Sequence, residues 1–283
     1  MIITIESNEL KVGISNFGAE LHSIKDNSGL EYLWQADPKF WKRHAPILFP
    51  FIGPLKDGTY TVDGKEYKMT SHGFARDKAF TLMDLSDNYA EFVLTSEGTM
   101  DVYPFEFDIR VKYTVEGRKV TTKIGIKNND YKTMRFYVGG HPAFRCPMID
   151  GEDFTDYVVE FEKPEFIEQP LLAGGKRTIL DNATTVPMSH ELFNNDVFMK
   201  SKPNSNTVTL KSTKSGKGVK LDFTGCDTIA VWSPNSEAQF VCLEPWSSIP
   251  SINDEAKELD EKKLAIAIDP GEIYKFSFTA EMI

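Results

Sequence analysis

Between residues 105 and 126 the chain alternates. Phe105, Phe107, Ile109, Val111, Tyr113 and Val115 are apolar, and the Glu106, Asp108, Arg110, Lys112 and Thr114 between them are polar. Successive side chains of an extended strand point to opposite faces, so a period of two builds one face for a core and one for water. The pattern restarts after Glu116-Gly117 with Val120, Thr122, Ile124 and Ile126, which predicts a long antiparallel hairpin. The apolar face of such a hairpin must be covered by a second layer.

The rest of the chain repeats this theme. A second hairpin is predicted over 59–69, where Asp63-Gly64 supplies the positive φ of a tight turn. Further strands are predicted at 2–6, 19–24, 80–85, 91–95, 135–138, 157–161, 207–210, 219–223, 229–232, 240–243, 264–268 and 274–279. Helical signal is sparse. Asp37-Pro38 opens a short capped turn before Phe40-Trp41, and 254–263 reads as one short helix. Many short strands with few helices predict an all-β fold, a sandwich or barrel. No Pro/Gly/Ser-rich linker or internal repeat divides the chain, so residues 1–283 are expected to form one domain.

Composition narrows the function. Lys and Arg number 32 against 42 Asp and Glu, a net charge of −10. That acidity opposes a phosphate backbone, so nucleic-acid binding is not expected. No apolar run approaches the roughly 20 residues of a membrane-spanning helix. The opening MIITIESNEL lacks the basic and apolar regions of a secretory leader. Cys146, Cys226 and Cys242 are odd in number and form no CxxC pair, which argues against a disulfide framework and a Cys-based zinc site. A cytoplasmic protein is expected. The basic stretch 211–220 reads as a solvated hairpin turn, because a phosphate loop would feed a helix.

Two of the five histidines have unusual neighbours. His72 lies in Ser71-His72-Gly73-Phe74-Ala75-Arg76. His141 follows Gly139-Gly140 and precedes Pro142, which drives its backbone toward extended geometry. His141 is either an imidazole projected into a cavity or a strand-end residue held by a backbone hydrogen bond. In Phe240–Trp246 an apolar strand runs into Glu244, Pro245 and Trp246. There Glu244 is either a partly desolvated base or the exposed start of a loop, and Trp246 offers a flat surface on which a sugar stacks. No GxSxG, HExxH, Walker or GxGxxG motif occurs. His141 and Cys146 make a poor metal site without a second pair. Asp153 and Asp156 read as loop carboxylates, and nothing calls for a metal or a cofactor.

In order along nearly the whole chain, several segments resemble the aldose 1-epimerase (mutarotase) superfamily, more narrowly its LacX-like branch. They are Asn16-Phe17-Gly18-Ala19-Glu20-Leu21, Pro46-Ile47-Leu48-Phe49-Pro50, Gly64-Lys65-Glu66-Tyr67, His72-Gly73-Phe74-Ala75-Arg76, Gly140-His141-Pro142-Ala143-Phe144, Leu243-Glu244-Pro245-Trp246 and Asp269-Pro270-Gly271-Glu272. The resemblance implies a large twisted antiparallel β-sandwich. It implies a cofactor-independent isomerase that interconverts the α and β anomers of a hexose by opening and closing the ring. By the same resemblance Glu244 matches the general base and His141 the general acid. His72 matches a second histidine at the ring oxygen, and Asp196 a carboxylate that grips ring hydroxyls.

One departure bears on substrate. Mutarotases of this superfamily carry an Asn-Arg pair where this chain reads Gly53-Pro54-Leu55-Lys56-Asp57-Gly58. Lys56 lacks the fork of a guanidinium, so Arg76 is the better sugar contact. Motif order places Arg43, Lys56 and Arg76 near the pocket mouth, either as a phosphate cluster or as ordinary surface charge. A hexose-6-phosphate 1-epimerase is therefore one alternative. A non-catalytic carbohydrate-binding or sensing protein is another, as is an accessory sandwich domain. The expected partner is a small aldose or aldose phosphate, with the chain a monomer or homodimer.

Overall fold

The period-two segments form strands. Phe107–Glu116 and Lys119–Asn128 pair in register, with Val115 opposite Val120 and Val111 opposite Ile124. Every second residue from Phe107 to Val115 is buried. In the computed structural model, which describes residues 1–234, 237–253 and 256–283, this hairpin lies within a nine-stranded antiparallel sheet. From edge to edge the sheet runs Lys176–Pro187, Tyr157–Pro170, Thr207–Ser212, Gly218–Asp222, Ile273–Met282, Lys119–Asn128, Phe107–Glu116, Tyr89–Thr95 and Thr81–Leu85.

A six-stranded sheet forms the second layer. Its path is Phe198–Ser201, Thr228–Trp232, Phe240–Trp246, Gly139–Gly140 and Ile47–Leu48, and Ala143–Arg145 also pairs with Phe240–Trp246. Phe240–Trp246 is buried along its whole length. A strand covered on both faces reads as a continuous apolar run rather than an alternating one. The layers meet through aromatic rings, with Phe49 and Phe107 5.4 Å apart. One buried apolar cluster draws on residues from Ile5 to Met282. Smaller sheets flank the sandwich: Ile2–Glu6, Leu10–Ser15 and Glu20–Asp26 form one, and Thr59–Val62 with Lys65–Lys68 form another about the Asp63-Gly64 turn.

The all-β expectation holds, and the described residues contain only 3-10 turns and no α-helix. The helix expected at 254–263 is corrected. Asp254 and Glu255 lie outside the described residues, and the remainder holds only the 3-10 turn Leu259–Glu261, for want of an apolar stripe. Asp37 caps its turn through Lys39 N–H and accepts from Phe40 and Trp41. The stretch 211–220 is a hairpin turn, its Lys211 and Lys214 paired with Glu160 and Asp156. Asp153 and Asp156 form a capping box on the turn Phe154–Asp156.

Three strands of four or more residues were not expected from sequence: Leu10–Ser15, Lys176–Pro187 and Phe198–Ser201. Gly13 interrupts the first. In the second, Asp181-Asn182 imitates a turn, and Asn182 at φ 50° instead sits in an irregular edge strand with register shifts. Its partner Tyr157–Pro170 is also longer than expected. This long hairpin reaches the functional site.

Candidate active site

Strand register creates the central pair. Gly139 lies opposite Trp246 and Ala143 opposite Cys242, which puts His141 directly across from Glu244. A Cβ on Gly139 would stand 2.7 Å from Trp246 Cδ1, so the close approach requires glycine. His141 Nε2 lies 3.2 Å from Glu244 Oε2. The residues are 6% and 1% exposed. Their contact is close but not aligned as a hydrogen bond, and Glu244 Oε2, His141 Nδ1 and Trp246 Nε1 are all left without a hydrogen-bond partner. Buried polar atoms of this kind are costly unless something else satisfies them.

The pair opens onto a cavity of about 240 Å³ lined also by Trp41, Ser71, His72, Arg76, Asp196 and Trp232. His72 sits at φ 65° and Gly73 at φ 74°, the left-handed region. A Cβ on Gly73 would fall 2.0 Å from the Phe49 carbonyl oxygen, so only glycine fits there. Gly53 N–H donates to His72 Nδ1 at 3.2 Å. The neutral ring therefore carries its proton on Nε2. Arg76, on the turn Ala75–Asp77, donates to the Ser71 carbonyl. Asp196 follows the turn His190–Phe193, at φ 68°, and its Oδ1 accepts the Trp232 indole N–H at 2.8 Å. From the long hairpin, buried Gln169 donates to the Asp196 carbonyl at 2.9 Å.

Burial governs the electrostatics. It pushes Glu244 well above the usual carboxylate range; the nearby Trp246 indole offsets part of this and the Asp196 charge adds to it. Burial, then the neighbouring His72 and Arg76, holds His141 well below the ordinary imidazole value. His72 is lowered to about 3 by burial, Arg76 and Arg43. Burial and Arg43 lower Arg76 to about 10. Carboxyl and imidazole are thus both pressed toward their neutral forms.

Six residues singled out from sequence come together here: His72, Arg76, His141, Asp196, Glu244 and Trp246. Two do not. Lys56 is exposed and lines a separate hollow with Leu55, Lys257 and Lys262. Arg43 stands behind Arg76, donating to Asp77 at 2.8 Å and to the Arg76 carbonyl. The flat surface expected of Trp246 is also different, because that ring packs on Gly139 and is 3% exposed. Trp41 and Trp232 are the aromatic walls instead. Trp41 stacks on His141 with centroids 4.9 Å apart, and Trp232 meets the same ring edge-on at 5.7 Å. Both were missed because each looks locally like a turn or strand-end residue. Trp232 faces the site only because it pairs with Cys242. Among the described residues two donor clusters are also present: His141, Cys242 and Glu244, and the more exposed Glu20, His22 and His44.

The aldose 1-epimerase family profile matches residues 1–280. The chain is 36% identical to Protein LacX, chromosomal, of Lactococcus lactis subsp. lactis, over 98% of each chain. It is 27% identical to the galactose mutarotase of Sus scrofa, over 61% of this chain and 56% of that protein. Its structure resembles a galactose mutarotase related enzyme from Lactobacillus acidophilus with a TM-score of 0.93 and 32% identity, covering 100% of this chain and 97% of that one. The architecture is therefore galactose mutarotase-like.

Proposed function

The chain belongs to the aldose 1-epimerase family, and from that premise we propose that it interconverts the α and β anomers of an aldose. The observation that carries this reading is the buried His141–Glu244 contact, 3.2 Å long, opening on a small cavity. The two oxygens that exchange protons in ring opening, the C1 hydroxyl and the ring oxygen, are bonded to one carbon. Acid and base must therefore stand side by side, as this pair does.

In the productive state the pair holds one proton, with Glu244 as carboxylate and His141 as imidazolium. Glu244 takes the proton from the C1 hydroxyl while His141 gives its proton to the ring oxygen. The C1–ring oxygen bond breaks, leaving the open aldehyde, a protonated Glu244 and a neutral His141. Rotation about C1–C2 and reversal of both transfers closes the ring on the other face. The pair's proton count is unchanged throughout. Burial favours the neutral pair, so ring opening discharges an ion pair in a site that resists charge.

His72, with its proton on Nε2, donates to the ring oxygen or a neighbouring hydroxyl. Asp196 accepts from ring hydroxyls, and Trp41 and Trp232 supply apolar walls. Apart from the central pair and His72, the ionisable groups lining the cavity are Arg76 and Asp196. That balance favours a neutral sugar over a hexose phosphate.

The test is exchange NMR on equilibrated anomers of several aldoses and their 6-phosphates. Wild type should build α–β cross-peaks. Glu244→Gln and His141→Asn should each slow exchange at least about 10²-fold. Variants as fast as wild type would remove the catalytic assignment, and faster turnover of the phosphates would remove the neutral-sugar preference.

A further inference from the structure

Cys242 lies two residues before Glu244 on Phe240–Trp246, so both side chains point to the same face of the strand. On that face the Cys242 Sγ, a His141 ring nitrogen and a Glu244 oxygen all lie within 4.8 Å of one another. All three residues are buried. Cys242 packs with Trp34, Ala143, Ala238 and Phe240, and the acid–base chemistry makes no use of its thiol.

We propose that His141, Cys242 and Glu244 form a binding site for a soft divalent cation of the Zn²⁺ type, in competition with the sugar.

Three observations carry this. The first is the donor set: a nitrogen, a sulfur and a carboxylate oxygen suit Zn²⁺, which takes all three at about 2.0–2.3 Å. Hard cations such as Mg²⁺ or Ca²⁺ select oxygen instead. The second is spacing. Two ligands about 2.0–2.1 Å from one tetrahedral ion stand a little over 3 Å apart, and His141 Nε2 and Glu244 Oε2 are 3.2 Å apart without hydrogen-bond alignment. The third is the orphaned Glu244 Oε2, on a residue 1% exposed. An ion at this point would satisfy it.

Three protein ligands leave a fourth position, and His141 and Glu244 already line the cavity through which an ion enters. Binding displaces two protons to solvent, the thiol's and the one held by the His141–Glu244 pair. The ion would occupy the lone pairs on which ring opening depends: a ligated imidazole nitrogen donates no proton, and a ligated carboxylate is a weak base. Zn²⁺ would thus be a chelator-reversible inhibitor. The inhibition rests on the epimerase reading, but the binding does not.

The experiment titrates the purified full chain with Zn²⁺ against a chromophoric chelator, and with Co²⁺ while watching for thiolate-to-metal charge transfer. Wild type should bind one ion at this site and show the charge-transfer band. Cys242→Ser should lose the band and at least about tenfold in Zn²⁺ affinity, since even losing a residue that only orients a ligand costs that much. Cys242→Ala repeats the measurement should serine disturb the packing. Cys146→Ser and Cys226→Ser should keep the band. His22→Ala removes a donor of the Glu20–His22–His44 cluster and should leave the Cys242-dependent ion in place. A wild type without the band, or an affinity that depends on His22 rather than Cys242, would overturn the proposal. These readouts need no turnover, so a failure of the epimerase assignment leaves them interpretable.

Discussion

Asp196 touches the site chemistry in two ways. Its Oδ1 holds the Trp232 indole, and its charge helps raise Glu244. Asp196→Asn separates the two, because the amide oxygen still accepts from the indole while the charge is gone. Removing a negative neighbour makes protons easier to lose from the His141–Glu244 pair, so its apparent pKa values fall. Both limbs of the pH profile of kcat/KM should therefore move to lower pH. The displacement should be a fraction of a unit and shrink in salt, because Asp196 is exposed. Unmoved limbs would mean that this charge does not reach the pair. His72 poses a simpler question. His72→Phe removes a neutral donor worth about 1 kcal/mol, which should lower kcat/KM roughly 5- to 10-fold, and it also strands the Gly53 N–H that His72 Nδ1 accepts, which should lower stability by about 1–3 kcal/mol.

At the scale of elements, the long hairpin of Tyr157–Pro170 and Lys176–Pro187 does more than extend the sheet. Its Gln169 is fully buried and donates to the carbonyls of Leu192, Asp196 and Val197, while Arg177 donates to Gln169 and to Leu192. The hairpin thereby clamps the loop that carries Asp196. Gln169→Leu strands the Asp196 and Val197 carbonyls while Leu192 keeps Arg177, at a cost of about 1–3 kcal/mol. The expected result is a several-fold rise in KM with kcat nearly unchanged, because Glu244 sits on Phe240–Trp246 and His141 between Gly139–Gly140 and Ala143–Arg145, away from the hairpin. A fall confined to kcat would show that the hairpin acts on the pair itself. The turn bearing His72 is held differently, by a glycine wedged against the Phe49 carbonyl, and tolerates no side chain there.

For the whole molecule, buried neutral histidines make stability depend on pH. An unfolded histidine takes up its proton near pH 6.5, whereas burial lowers His44 to about 4 and His72 to about 3. Between those values the unfolded chain binds more protons, so this stability is fully present above pH 6.5 and is lost as pH falls through the window. His141 acts in the same direction. Glu244, raised above its unfolded value, acts oppositely, its contribution falling as pH rises above about 4.5. His22 and His190 are lowered by burial as well, so five histidines stand against one raised carboxyl, and the urea midpoint should drop between pH 7 and pH 4.5. His44→Gln, at a residue that stacks on His22 outside the cavity, should lessen that drop. An equal drop in both proteins would show that His44 titrates freely in the fold.

Local pattern was enough to determine the all-β class, because side-chain alternation and Asp-Gly turns are properties of neighbouring residues. The motifs around His72, His141 and Glu244 were legible for the same reason: glycine and proline mark unusual backbone wherever they occur. The tertiary structure decided what stands beside what. Register set His141 across from Glu244 and brought Cys242 to their side, whereas sequence spacing had suggested only the unproductive pairing of His141 with Cys146. Chain path put Lys56 in another hollow, turned the Trp246 ring into the packing against Gly139, and delivered Trp41 and Trp232 as walls. Those placements join residues up to about 200 positions apart, and contacts at that range depend on how strands pair across the sandwich rather than on any local preference.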